Sequence, residues 1–188
     1  METVNKSEPT ALATYALPTE PSVVALGGSH VCCASGALAW FYPLGGGAAA
    51  RRQYPAPVDA IALAGDYAAA MFQGKAMLHL IDQADPSQPE REAIMFPEPH
   101  MQSAKIQDIH LTSDFFIYVT DQGHIEYFGV EEWCGVARRR HSRGVRRVHC
   151  DLGGARCCVL DDARRALAYC PASDDVCALA RPPPAAAV

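Results

Sequence analysis

Short runs of β-branched, aromatic and small apolar residues, separated by Gly, Asp, Asn, Ser or Pro, recur along the chain. This strand-and-turn grammar limits the chain to an all-β fold. Gly and Pro contribute 14 residues each of 188, and no long stretch repeats apolar residues at helical spacing. The clearest segment is 106–130, which reads as three strands joined by two tight turns: Ile106–Leu111, Phe115–Val119 and His124–Phe128. Asp121-Gln122-Gly123 places a glycine where a short hairpin needs a positive backbone angle. Phe115–Val119 is apolar on both faces, as a central strand must be. Ile125, Tyr127 and Gly129 alternate with His124, Glu126 and Phe128.

The same grammar occurs three more times. Val23–Leu26, His30–Cys33 and Leu38–Tyr42 form one set, and Val58–Leu63, Tyr67–Phe72 and Met77–Ile81 a second. Val145–Cys150, Arg156–Leu160 and Leu167–Cys170 form the last. The apolar residues that close the first strand of each set are Leu26, Leu63, Leu111 and, by position, Leu152, spaced 37, 48 and 41 residues apart. A period near 42 with several strands per unit predicts β-propeller blades, with a plain β-sandwich as the alternative. The expected architecture is a partial WD40-type propeller of about four antiparallel blades over residues 15–180. It is flanked by a disordered segment at 1–14 and a Pro/Ala-rich tail at 181–188. That tail offers no strand to close a ring, so the chain reads as part of a longer one. Gly45–Ala50, Ala84–Glu90 and Phe96–Pro99 read as loops projecting from a rim.

Hydrophobic residues make up 49% of the chain, enough for a real core and too many for bulk disorder. No run reaches the roughly 18 apolar residues of a membrane helix, and the polar start, Met1–Lys6, lacks a secretory h-region. A soluble intracellular protein is the expectation. The eight cysteines include the adjacent pairs Cys32-Cys33 and Cys157-Cys158, and no C-x-x-C occurs. Neighbours on a strand point to opposite faces, so reduced, mostly buried thiols are expected rather than disulfides or zinc.

No G-x-S-x-G, P-loop, H-E-x-x-H or G-x-G-x-x-G is present, and no cofactor is expected. His30, His79, His110, His124 and His149 fall on or beside strands and read as packed or surface imidazoles. Asp108 and His110 share a strand face at i, i+2, so the carboxylate could orient the ring. An enzyme built from these two or from the cysteines is the weakest reading. Asp161-Asp162 and Asp174-Asp175 fit turn chemistry.

Charge is uneven. Residues 1–133 hold 6 basic and 16 acidic residues, and residues 134–188 hold 10 and 5. Six arginines, Arg138, Arg139, Arg140, Arg143, Arg146 and Arg147, fall within ten positions. They are candidate contacts for an acidic protein surface or RNA, against the plainer reading of a solvated loop. No aromatics interleave with them, so nucleic acid is not the expected partner. Trp133, after Glu131-Glu132, is a candidate partner anchor, with core packing as the competing fate.

Three phrases resemble a known family. They are Leu17–Leu26 with Ala39–Tyr42; Ala62–Phe72 with Gly74–His79; and Leu111–Phe115 through Tyr118 and Thr120-Asp121 to Tyr127-Phe128 and Glu132-Trp133. Together they resemble the WD repeat-containing protein nineteen family, subunits of intraflagellar transport complex A. They match the early part of that family's second propeller. Past Trp133 the match thins to Val145–Val148 and Tyr169–Pro171. The resemblance implies a non-enzymatic scaffold acting in retrograde ciliary transport and cilium assembly, in the cilium and basal body with a cytoplasmic pool. The implied partners are other subunits of that complex and, indirectly, ciliary membrane-protein cargo, without insertion into the membrane.

Overall fold

The computed structural model of the chain describes residues 14–82, 93–98, 103–141, 144–170 and 175–179. The expectations for 1–13, for Ala84–Glu90 and for 181–188 therefore lie outside the described residues. Among the described residues sixteen strands form four sheets of four, and each sheet is an antiparallel meander of consecutive strands. Blade 1 holds β1 (Val23–Leu26), β2 (His30–Ser35), β3 (Leu38–Pro43) and β4 (Ala50–Gln53). Blade 2 holds β5 (Ala60–Ala64), β6 (Tyr67–Phe72), β7 (Lys75–Leu80) and β8 (Ala93–Phe96). Blade 3 holds β9 (Ile106–Leu111), β10 (Phe115–Thr120), β11 (His124–Gly129) and β12 (Cys134–Arg140). Blade 4 holds β13 (Val145–Cys150), β14 (Cys157–Asp161), β15 (Ala166–Cys170) and β16 (Asp175–Ala178).

The first strands form the inner row, β1 beside β5, β5 beside β9 and β9 beside β13. No comparable contact joins β13 back to β1 among the described residues, so the blades form an open arc.

Each pair of neighbouring blades shares a core. Cys32, Ala34, Ala39 and Phe41 of blade 1 meet Ala68, Ala70 and Phe72 of blade 2. The opposite face of β6 and β7 gives Ala69, Ala76 and Leu78 to Phe116, Tyr118 and Phe128 of blade 3. Ile117, Val119, Ile125 and Tyr127 then face Val148, Cys157, Val159 and Tyr169 of blade 4. A sheet sandwiched between two others must be apolar on both faces, and β10 is. β11 is also covered on both sides, so Glu126 is buried rather than on a solvent face.

Backbone bonds fix one blade to the next. The Val58 N–H donates to the Gly36 carbonyl and the Ile106 N–H to the Gly74 carbonyl, both at 2.8 Å. Gly27 allows β1 to close on β5, since a Cβ there would lie 2.7 Å from Leu63 Cβ. Gly123 takes the expected positive angle, φ 77°.

Two loop expectations are corrected. Phe96 ends strand β8 and is 1% exposed, because it fills the space between blades 2 and 3. The arginine stretch is not one loop: Arg138–Arg140 belong to β12, the outermost strand of blade 3, and Arg146 and Arg147 to β13, the innermost strand of blade 4. Arg143 lies outside the described residues.

Candidate functional site

The four leucines that mark the period converge. Each of Leu26, Leu63 and Leu111 ends the core part of an inner strand, and Leu152 follows β13. All four line one cavity of about 310 Å³ with Ile109, His110 and Cys150. Leu26 is 74% and Leu152 98% exposed, so the mouth presents large apolar side chains to water.

In a meander, the turns after the first and third strands share one end of the sheet. Bonds within and between blades bear this out. The Ser29 hydroxyl donates to the Gly65 carbonyl at 2.5 Å, joining the first turns of blades 1 and 2. The Thr112 hydroxyl reaches the Gly153 carbonyl at 3.2 Å, joining those of blades 3 and 4. Within blades, Leu44 N–H donates to Ser29, Ile81 to Asp66 and Val130 to Asp114, each to the carbonyl. At this end the described turns carry Asp66, Asp82, Asp114, Glu131, Glu132 and Asp151 against a single cation, Arg156. Asp151 receives the Arg156 backbone N–H at 3.2 Å and its Nε–H at 3.3 Å, which hold its carboxyl below the ordinary range. Two of these carboxylates, Asp66 and Asp114, carry a signal in the sequence. Leu26-Gly-Gly-Ser29, Leu63-Ala-Gly-Asp66 and Leu111-Thr-Ser-Asp114 share a Leu-x-x-Ser/Asp spacing.

Asp108 and His110 meet as the i, i+2 spacing implied, with Nε2 3.2 Å from Oδ2. Partial burial works against the Asp108 charge, but the His110 bond and backbone N–H groups prevail and lower its pKa. Cys150 lies in the same cavity. Burial pushes its thiol up to about 12, and the neighbouring Cys157 adds to this. The group is therefore protonated at neutral pH and supplies no thiolate nucleophile. No cluster of metal-ligating residues occurs among the described residues. No helix there is long and apolar enough to cross a membrane.

The described candidate partner-binding residues are divided between blades 3 and 4. Arg138 donates from Nε to the buried Glu126 carboxylate at 2.5 Å. The Arg139 guanidinium lies 5.3 Å from the centre of the Tyr169 ring and links blade 3 to blade 4. Arg140 is exposed but borders, with Arg139, a cavity of about 300 Å³ between those blades. Arg146 and Arg147 are exposed, at a register shift in the β13–β14 pairing. Trp133 is half-buried, its ring 5.6 Å from Phe128 and 6.0 Å from Tyr67, so it packs between blades 2 and 3. The eight cysteines are all free, and Cys32, Cys33 and Cys157 are buried.

Comparison with known proteins adds three findings. The family described as WDR19 second beta-propeller matches residues 1–188. WD repeat-containing protein 19 of Homo sapiens is 38% identical over 165 residues, and WD repeat-containing protein dyf-2 of Caenorhabditis elegans 32% over 126. The alignments cover 86% and 67% of this chain but 12% and 9% of those relatives, so the chain spans a small part of their length. Among solved structures, the arc resembles the Myceliophteria thermophila Cps50 (Swd1) β-propeller domain, with TM-score 0.60, 16% identity, and 79% of this chain and 51% of that one covered. It also resembles Kluyveromyces lactis Hsv2, with TM-score 0.61, 11% identity, and 83% and 50% covered.

Proposed function

We propose, from the premise that this chain belongs to the WD repeat-containing protein 19 family in the region of its second β-propeller, that it is a non-enzymatic scaffold within a subunit of intraflagellar transport complex A. In this reading it serves retrograde ciliary transport and cilium assembly by holding other subunits of that complex. Membrane-protein cargo is engaged through them, in the cilium and at the basal body, with a cytoplasmic pool. The observation that carries the reading is the 38% identity over 165 residues to the human relative. The fold supports it in one respect: the repeated blades offer extended rims to partners.

The alternative is an acidic protein or RNA gripped by Arg138–Arg147, and the structure favours it less. Arg138 and Arg139 are engaged within the fold, and Arg146 and Arg147 stand on a different blade. The test is to tag the endogenous protein in a ciliated cell, blot whole cells beside isolated cilia, and recover the tag under mild lysis. Ciliary enrichment with co-recovery of other complex subunits is expected. Absence from cilia together with no co-recovered subunit overturns the assignment.

A further inference from the structure

We propose that the leucine-lined mouth and its acidic turns form a docking site for a short basic and apolar segment of a partner protein. The apolar half of the argument is the exposure of Leu152 and Leu26 beside the half-buried Leu63 and Leu111, with a cavity large enough for one or two aliphatic side chains. Covering such side chains removes apolar surface from water and favours an apolar occupant. The electrostatic half selects the partner. Asp151 lines the mouth, Asp66 and Asp114 stand on the neighbouring first turns, and Arg156, the one cation in the described turns at this end, is already paired with Asp151. The opposite end of the described blades is mixed, with Asp59, Glu98, Asp121 and Asp162 set against Lys105, Arg164 and Arg165. The acidic bias therefore belongs to the end that carries the exposed leucines. A chain with Lys or Arg flanking Leu satisfies both halves, whereas anionic lipid and nucleic-acid phosphate are repelled. The four first-strand turns are tied pairwise by Ser29 and Thr112, so the surface is held in place before a partner arrives.

This inference deepens the scaffold reading by giving one partner segment its chemistry. Its test reads binding to the 188-residue chain alone, so either can fail without the other. The probe is a fluorescein-labelled peptide in which leucines alternate with Lys and Arg, with an all-Glu counterpart as control, followed by anisotropy. The basic peptide is expected to bind in the micromolar range and to weaken as salt rises. Leu152→Ser, at a fully exposed position, is expected to cost about tenfold in Kd, and the double change Asp66→Asn with Asp114→Asn a similar factor. Far-ultraviolet circular dichroism confirms that the variants keep their strands. Absence of binding, equal binding of the Glu peptide, or full binding by Leu152→Ser overturns the proposal.

Discussion

At the residue scale the most informative pair is Tyr54 and His79, between blades 1 and 2. His79 Nδ1 lies 2.6 Å from the Leu80 carbonyl, which can only accept, so Nδ1 carries the proton. Nε2 is then an acceptor, and Tyr54 donates to it at 2.7 Å. The imidazole is fully buried and packs edge-on to Phe41, 5.8 Å away. Burial pushes its pKa down from 6.5 to about 4, and holds the Tyr54 phenol above its ordinary range. Between pH 6.5 and 4 the unfolded chain therefore binds the proton that the folded chain refuses. Stability from this group is complete above pH 6.5 and is lost as pH falls toward 4, by up to about 3 kcal/mol. Melting curves across that window should show the loss, and a His79→Gln chain should be weaker at pH 7 but flatter across it. Tyr54→Phe leaves Nε2 buried without a donor and should cost about 1–3 kcal/mol in a denaturant titration at pH 7. The carboxylates add a separate, lower window. Burial opposes the charge on Asp161, but the Arg165 N–H and guanidinium outweigh it and lower its pKa, so that contribution is lost only as pH falls below the ordinary 3.8. Nothing in the sequence separates His79 from the other histidines on strands, because its state depends on a tyrosine 25 positions away.

At the scale of elements, the first three strands of every blade were legible and the fourth was not. β6, β9 and β13 coincide with the sequence reading because their apolar runs are bounded by turn residues on both sides. The fourth strands are outermost in each sheet, so burial does not force them to be apolar. β4 is Ala-Arg-Arg-Gln, β12 ends in three arginines, and all four residues of β16 are exposed. Such strands read as solvated loop. β8 was hidden differently: its one fully buried residue, Phe96, precedes a proline and looks like punctuation. Its ring lies 5.0, 5.3 and 5.1 Å from those of Phe116, Tyr118 and Phe128, so one residue of an outer strand binds blade 2 to blade 3. Phe96→Ala should cost about 3–5 kcal/mol, near the top of the range for core truncations. Phe96→Leu, which keeps most of the volume, should cost less than half of that. Equal small losses in guanidinium unfolding would mean that β8 contributes little to the joint. The docking mouth was legible only in its leucines. The acidic turns gain meaning once the meander places first and third turns at one end.

For the whole molecule, the open arc has a consequence that no single blade shows. The face of blade 1 that looks away from blade 2 carries Val24 opposite Cys33 and Trp40, and Leu26 opposite Val31 and Tyr42. Val24 is 63% exposed, and of this row only Tyr42 is covered by a ring contact, with Tyr15 at 4.9 Å. In blades 2 and 3 the equivalent face is buried against the preceding blade, whereas among the described residues this face keeps Val24 and Leu26 exposed and Val31, Trp40 and Tyr42 half-buried around a buried Cys33. Sheet faces of this kind seek another apolar surface, and the isolated 188-residue chain should self-associate as its concentration rises. Size-exclusion chromatography with light scattering should show the apparent mass climbing above 20.2 kDa at tens of micromolar. Val24→Lys places a charge on that face without touching a shared core, and should return the chain toward the monomer. A wild-type chain that stays monomeric at all concentrations would mean that the face is covered from within the chain. A Val24→Lys chain that associates as strongly as wild type would move the contact elsewhere.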